Sequence, residues 1–435
     1  MDLSGKQIAI LGAGRSGRAA AQLALSRGGS VTVYDGAKLE AFGTFPAEVE
    51  LLPEATAASG RECRADLVVI SPGIETAGEF ASAFVDGAGE LIGETEFASR
   101  VYRGRVVGIT GTNGKTTTTE LVQRVLIAGG ITCEACGNYG RPLADVVLEE
   151  EQPAAVALEL SSFQLETVNT FRPEVAVWLN FSPDHMDRYS SVAGYRAAKL
   201  RIFENQTADD LAVVRKGEDV GALKAPCIRF SATEEGGDYS LRGTSVMLDG
   251  AEVLDLAATR LRGVHNAENV MAALAAARAL GVSCEVASGA LSGYAPPLHR
   301  CELVGTLDGV EYINDSKATN LHALEAALIS QRRPTVLIAG GKEKGLDYES
   351  LLPLLKKLVE SVVVFGEIGS RLRPLFSRVV PTSSATTLEE AVHLARAAAH
   401  PGGTILFSPG TSSFDMFSGY EERGDVFRAA VQALK

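Results

Sequence analysis

Short apolar runs recur along the chain, each followed by a polar, glycine-containing turn and then by a stretch with helical spacing of its apolar positions. Residues 7–11, 66–70, 106–110, 154–160 and 175–180 follow this pattern in the first part, and 310–313, 335–339, 361–365 and 404–407 in the last. Apolar runs of this length bounded by turns predict buried strands, and their alternation with helices predicts parallel sheets of the α/β class. Between them, residues 206–260 read as β-rich and punctuated by glycine, with no chemistry evident. At roughly 150 residues per domain, a chain of 435 residues suggests three domains. The pattern divides at a linker helix over 93–104 and at the extended Pro296-Pro297 break, which predicts domains over 1–93, 94–299 and 300–435.

Composition narrows the function classes. With 46% hydrophobic and 22% charged residues, the chain is an ordinary globular protein. Its net charge of −13 argues against a nucleic-acid or membrane partner, so a polyanionic ligand must be held by local lysines and arginines working against the overall field. The sequence begins without a charged leader, its most apolar helix-like run (271–280) is too short to span a bilayer, and a cytoplasmic monomer is expected. The six scattered cysteines form no disulfide framework. Cys133 and Cys136 lack a second pair to complete a zinc site and read as reduced packing residues.

Chemistry concentrates in the turns. Residues 105–130, RVVGITGTNGKTTTTELVQRVLIAGG, read as a strand, a glycine turn and a helix, the junction where backbone N–H groups surround a phosphate. Gly111, Thr112, Asn113 and Gly114 would form the cradle, Lys115 would meet the terminal phosphates, and the Thr116 hydroxyl, with Thr117 behind it, would reach Mg²⁺. The loop departs from the common consensus, since the position of its first glycine is Ile109. Gly12-Ala-Gly-Arg-Ser-Gly17, with Asp35 at the end of the next strand, reads as a diphosphate-plus-ribose site, with a tight βα turn without a ligand as the alternative. Glu159 ends one strand, where a carboxylate is placed to hold Mg²⁺ directly or through water, and Asp184-His185-Met-Asp-Arg-Tyr189 follows another, a cluster of ionisable side chains that reads as functional or as a solvated loop. Lys199 lies in the apolar stretch AAKLRIF, where a lysine with its stem on apolar surface and its head in water is the alternative to a functional one. His265-Asn266-Ala-Glu-Asn269 opens an Ala-rich helix, with capping and base recognition as the two readings of Asn266.

Taken in order, GTNGKTTTT, ELSSFQLE, DHMDRY with its following AAK, HNAEN, PLHR, NDSKATN, GGKEKG and SPGTSSFDMF resemble the ATP-dependent Mur ligases of peptidoglycan precursor synthesis. The GAGRSG and SPGI pair, and the absence of an Asp-Asn-Pro-Arg motif, resemble the glutamate-adding branch more than its diaminopimelate- or lysine-adding ones. The resemblance implies a Rossmann-like N-terminal domain for the uridine diphosphate sugar, a central phosphate-loop ATPase-like domain, and a C-terminal Rossmann-like doubly wound domain that closes over the site. By motif, it assigns Arg15, Ser16, Asp35, Gly73, Asn138 and Gln164 to UDP-N-acetylmuramoyl-L-alanine. It assigns the phosphate loop through Thr117, with Asn266, Asn269, Arg300 and Asp315, to ATP, and Thr116, Glu159, His185 and a carbamylated Lys199 to Mg²⁺. Lys115, Glu159, His185, Lys199 and Lys317 become the catalytic set. Thr319, Lys344, Ser413, Phe414 and Tyr420 surround D-glutamate, with Lys342 the alternative to Lys344 and Tyr420 standing where the family often has Phe. An NAD-dependent oxidoreductase built on GAGRSG would need a hydride-transfer site that the sequence does not offer, and the lysine and serine loops near the C-terminus argue against a non-catalytic phosphate-loop switch.

Overall fold

Where apolar and β-branched residues run consecutively, the backbone pairs on both sides and disappears from solvent. The computed structural model describes residues 1–85, 89–186, 188–259, 261, 263–294, 298–331 and 333–434; the Pro296-Pro297 break and Asp187 lie outside the described residues. The first sheet contains β1 (Gln7–Leu11), β2 (Ser30–Tyr34), β3 (Glu50–Leu52), β4 (Leu67–Ile70) and β5 (Leu91–Gly93). Its strands are all parallel, in the order β3-β2-β1-β4-β5. The chain winds one way from β1 and then the other from β4. The turns after these two strands therefore share the crevice where ligands of open α/β sheets bind.

The second sheet contains β6 (Arg105–Thr110), β7 (Cys133–Gly137), β8 (Ala155–Glu159), β9 (Val175–Trp178), β10 (Leu211–Arg215), β11 (Cys227–Ser231), β12 (Tyr239–Arg242), β13 (Ser245–Leu248) and β14 (Ala251–Asp255). Its order is β14-β13-β12-β11-β10-β9-β6-β8-β7, parallel except for the terminal β12-β13-β14 meander. β6 lies between β8 and β9, so three loops converge at its carboxyl end. Cys133 and Cys136 are buried in β7, and burial pushes the Cys133 thiol up to about 12, in keeping with packing roles.

The third sheet contains β15 (Glu302–Leu307), β16 (Val310–Asn314), β17 (Thr335–Gly340), β18 (Val359–Phe365), β19 (Thr382–Ser384) and β20 (Thr404–Phe407), in the order β15-β16-β20-β17-β18-β19. It is parallel apart from β15, which forms an antiparallel hairpin with β16. This edge hairpin corrects the expectation of a wholly parallel sheet. Asp308 and Gly309, both with positive φ (48° and 78°), make the two-residue connection, and Asp-Gly is the strongest short-range hairpin signal.

The chain divides into two compact units, Met1–Asp255 with Glu268–Ser292, and Leu256–Ala267 with Gly293–Lys435. In the first, one continuous hydrophobic core runs from Ile8 and Val33 through Phe97 and Leu143 to Trp178 and Val214, so the first two sheets share an interior. The helix Glu94–Ser99 crosses that interior and buries two carboxylates. Among the described residues, no helix is long and apolar enough to cross a membrane.

Glu96 shows how such a charge is tolerated. Its oxygens accept from the backbone N–H groups of Asn169 (2.9 Å), Thr170 (2.9 Å) and Phe171 (2.8 Å), from the Thr170 hydroxyl and from Arg100 Nε. Burial would raise its pKa, but these hydrogen bonds outweigh it and hold the carboxyl below the usual range. Such a group stabilises the fold fully above its unfolded pKa of about 4.3, and that contribution is lost as pH falls through the lower folded value. Glu96→Ala should lower the free energy of unfolding in urea by roughly 3–5 kcal/mol at neutral pH, with the difference from wild type shrinking below about pH 4. A variant that unfolds at the wild-type urea concentration would contradict this.

Candidate functional site

The turn between β6 and the helix Lys115–Ala128 is shaped by close approach. Gly114 has φ 85°, and a Cβ there would stand 2.3 Å from Asn269 Oδ1, so only glycine fits. Asn180, just past β9, accepts from the Asn113 N–H through its side chain and from the Thr112 N–H through its carbonyl. Lys115 folds over the turn, its Nζ donating to the carbonyls of Gly111 (2.8 Å) and Thr112 (2.9 Å). Thr116 and Thr117 lie in the first turn of the helix, and Thr117 to Thr119 are buried. Packing therefore offsets the poor helix propensity of the threonine run.

Glu159, at the end of β8, is 3% exposed and accepts from Thr116 Oγ1 and Asn138 Nδ2, each at 2.7 Å. A hydroxyl and a carboxylate brought together at the start of this helix are hard oxygen donors of the kind Mg²⁺ takes. Lys199, on the helix Val192–Leu200, is 2% exposed, which overturns the alternative of a lysine with its head in water. Its Nζ donates to Gly111 O at 2.9 Å, the same carbonyl that Lys115 uses. Burial and then the Lys115 charge push the Lys199 pKa well below the usual lysine value, against the opposing pull of Asp184 and Glu159. Its Nζ lies 5.0 Å from the ring of buried Tyr195, and the His185 ring is 6.0 Å from that same ring. His185 is half-exposed on a turn with φ 56°. Among the described residues, no three His, Cys, Asp or Glu side chains form a metal cluster. Sequence reasoning did not single out Tyr195, which is 1% exposed.

The crevice of the first sheet meets this centre within the same unit. The Asp35 carboxylate accepts from the N–H groups of Ala13 (2.7 Å) and Ala37 (2.8 Å), tying the glycine turn to the end of β2. Arg15 donates to the carbonyl of Gly140, two residues beyond Asn138, while Ser16 is half-buried beside it in the chain. A cavity of about 440 Å³ opens beside Asp35, lined among others by Thr56, Ile74 and Phe80. Gly73 lies in the turn after β4, with open space where a Cβ would be. Gln164 is committed to the protein. It caps its own short helix together with Ser161 and donates to Thr95 Oγ1 at 3.2 Å.

In the helix Val264–Ala279, Asn266 is the third residue, so it is not a cap, and both it and Asn269 are buried. Asn269 Oδ1 accepts from Thr118 Oγ1 at 3.3 Å.

In the second unit, the loops after β16, β17 and β20 carry the remaining candidates. Asp315 accepts from Ser408 Oγ (2.8 Å) and the Cys301 N–H (3.1 Å), and burial pushes its carboxyl up to about 6 despite these bonds and the Arg300 charge. Lys317 Nζ stands 3.7 Å from the centre of the Tyr420 ring, close enough for a cation–π contact. Ser413 is buried and Thr319 half-buried, whereas Phe414 is 65% exposed. Lys342 and Lys344 are both exposed; the backbone of Lys342 is tied to Ser412 and Thr411.

Sequence reasoning missed Arg423, the fully buried cation that joins these loops. It donates through Nε to Ser316 Oγ (3.0 Å), through Nη2 to Ser316 O (2.8 Å) and through Nη1 to Thr411 O (3.1 Å). Burial lowers its pKa to about 10. The available signal was its neighbour Gly424, a glycine inside a helix where a Cβ would lie 2.1 Å from His299 Nδ1, which marks tight packing of that helix face.

Residues 109–277 match the Mur ligase middle domain and residues 299–410 the Mur ligase glutamate ligase domain. A protein from Geobacter sp. strain M21 called UDP-N-acetylmuramoylalanine--D-glutamate ligase is 41% identical over 450 aligned positions, covering 100% of this chain and 99% of its own. One of the same name from Geobacter metallireducens is also 41% identical, with the same coverage. Among solved structures, the MurF ligase of Thermotoga maritima in complex with ADP aligns with a TM-score of 0.63 at 16% identity, over 100% of this chain and 96% of that one, a likeness of fold.

Arg423→Met should leave the carbonyls of Ser316 and Thr411 without their donors and lower stability by roughly 1–3 kcal/mol in a urea titration. Unchanged stability would mean that the cost of burying the guanidinium cancels its hydrogen bonds.

Proposed function

The chain belongs to the Mur ligase family, and on that premise we propose that it joins D-glutamate to UDP-N-acetylmuramoyl-L-alanine, with ATP converted to ADP and phosphate, in peptidoglycan precursor synthesis. The reading is carried by one observation, the meeting of the phosphate turn with the Thr116–Glu159 pair and buried Lys199, in a chain that aligns end to end with relatives of that name. We assign residues 1–93 to the UDP-substrate, 94–299 to ATP and 300–435 to the amino acid, in a cytoplasmic monomer.

The chemistry follows from the poor reactivity of a carboxylate as an acyl donor. The alanine carboxylate oxygen attacks the γ-phosphorus of ATP and ADP leaves; the D-glutamate amine then attacks the acyl phosphate carbonyl and phosphate leaves. Neither step calls for a protein nucleophile, so positioning and charge neutralisation dominate. Gly111, Thr112, Asn113 and Gly114 would surround the phosphates, with Lys115 at their end. Asn266, Asn269, Arg300 and Asp315 would take the rest of ATP. Thr116, Glu159, His185 and carbamylated Lys199 would hold Mg²⁺, which when bound neutralises phosphate charge. The cavity beside Asp35 has the apolar walls and carboxylate suited to uracil and ribose, and Arg15, Ser16, Gly73 and Asn138 would complete that site, whereas Gln164, bonded to Ser161 and Thr95, would shape it from behind. Lys317 would steady the acyl phosphate, while Thr319, Ser413, Phe414, Tyr420 and an exposed lysine, Lys344 or Lys342, would receive D-glutamate.

Phosphate release measured with ATP, UDP-N-acetylmuramoyl-L-alanine and D-glutamate, and again with each omitted, tests the reading. Release should require all three. Equal release without the UDP-substrate would refute it.

Lys199 supplies the sharpest residue-level expectation. Its depressed pKa leaves the amine able to add to CO₂, forming an N–C bond and releasing a proton, and the product carries the carboxylate that an ammonium cannot offer a cation. Lys199→Ala should fall to a few per cent of wild-type turnover or less, with partial recovery when a short-chain carboxylic acid is added. Full activity in enzyme whose intact mass and electron density show an unmodified lysine would refute the carbamate.

A further inference from the structure

The turn after β4 contains a choice that its own sequence does not make. Ile74 N donates to Ser71 O at 3.0 Å, closing a β-turn with Pro72 and Gly73 at its two central positions. Pro followed by Gly is the signature of a type II turn, which needs positive φ at the glycine. Gly73 is not among the glycines with positive φ, so the turn is in the type I sense. The two types differ by a flip of the central peptide, here Pro72–Gly73, which exchanges the faces on which the Pro72 carbonyl and the Gly73 N–H emerge.

Arg188 holds that peptide. Its Nη1 donates to Pro72 O at 2.7 Å and its Nη2 to Ile74 O at 3.0 Å, while Nη2 also pairs with Glu166 Oε2 at 3.1 Å. The guanidinium lies 4.0 Å over the Phe163 ring and is largely buried. Glu166 is fixed in turn by the hydroxyls of Tyr189 and Thr76. Because C=O and N–H of one trans peptide point in opposite directions, an arginine bound to Pro72 O directs the Gly73 N–H away from itself. Among the described residues, nothing accepts that N–H, and no atom lies within 4 Å of where a Gly73 Cβ would stand. The backbone N–H of Arg188 bonds to His185 O at 3.1 Å, so the side chain that sets this turn belongs to the same tight turn as His185.

We propose that Arg188 is a positioning residue for the UDP-substrate: it selects the type I form of the Ser71–Ile74 turn and thereby aims the Gly73 N–H at an anionic oxygen of that substrate. The inference rests on the assignment of this crevice to the UDP-sugar. Without Arg188 the Pro-Gly turn relaxes toward type II, and the donor turns to the other face.

The test is calorimetric binding of UDP-N-acetylmuramoyl-L-alanine to the full chain, with and without Arg188, in two backgrounds. Alanine at position 73 disfavours positive φ and so holds the turn in type I without help. Arg188→Ala should weaken binding roughly 10- to 100-fold when residue 73 is glycine, but less than about threefold in the Gly73→Ala background, a departure from additivity that general loosening of the fold would not produce. Affinity for a non-hydrolysable ATP analogue with Mg²⁺ should stay within about twofold throughout. An equal loss in both backgrounds, or a matching loss of nucleotide affinity, would overturn the role of Arg188. Failure of the wild-type chain to bind the UDP-substrate would instead overturn the assignment of the crevice.

Discussion

Two lysine side-chain nitrogens converge on one carbonyl oxygen, that of Gly111, and the rest of the first unit's site is arranged around their proximity. A chain carrying a net charge of −13 cannot attract a triphosphate by its overall field. It must gather cations locally, and gathering them makes each harder to keep protonated. Lys115, on the turn itself, keeps access to the phosphate cradle. Lys199, enclosed and facing both Lys115 and a low-dielectric interior, has its pKa driven down instead. The same crowding thus leaves one lysine to meet anions and the other chemically free to become an anion itself. Glu159 and Thr116, hydrogen-bonded beside them, supply the oxygen donors that a divalent cation would take.

Three parallel-rich sheets repeat one arrangement. In each, the strand order reverses near the centre, and the loops at the carboxyl ends of the central strands carry the polar residues. In the first sheet these are the turns after β1 and β4, in the second those after β6, β8 and β9, and in the third those after β16, β17 and β20. Ionic groups, partly or fully buried, hold the loops in place: Asp35 on the glycine turn, Arg188 on the turn after β4, and Arg423 between the loops of the third sheet. A cation buried against backbone carbonyls loses its hydration, and what that loss supports here is the exact orientation of peptide groups that would otherwise have several conformations of similar energy.

Much of this was legible in the sequence because it is local. The strand over 7–11, the phosphate turn and the strand over 404–407 are contiguous apolar runs beside glycines, and the structure has them at those positions. Short edge strands such as β3, β5 and β19 were not legible, since three residues carry no period. β15 escaped because its residues alternate with partial exposure, although Asp308-Gly309 announced the hairpin. Side chains whose role depends on distant packing were the harder class. Lys199 reads equally as a surface residue until its helix is placed against the phosphate turn, and Arg423, set in the polar stretch YEERGDVF, reads as solvated until three loops close over it. Glu94 and Glu96 look like the acidic first turn of an exposed helix, and only the shared core of the first two sheets buries them.

The central claim is that the UDP-substrate's own carboxylate takes the phosphoryl group. If so, one of its oxygens must leave with phosphate when the D-glutamate amine arrives. Turnover of UDP-N-acetylmuramoyl-L-alanine with both oxygens of its alanine carboxylate replaced by ¹⁸O, with unlabelled ATP and water, should give inorganic phosphate containing one ¹⁸O atom for each amide bond formed, read by mass spectrometry. Phosphate free of label, at the same yield of amide, would contradict the account.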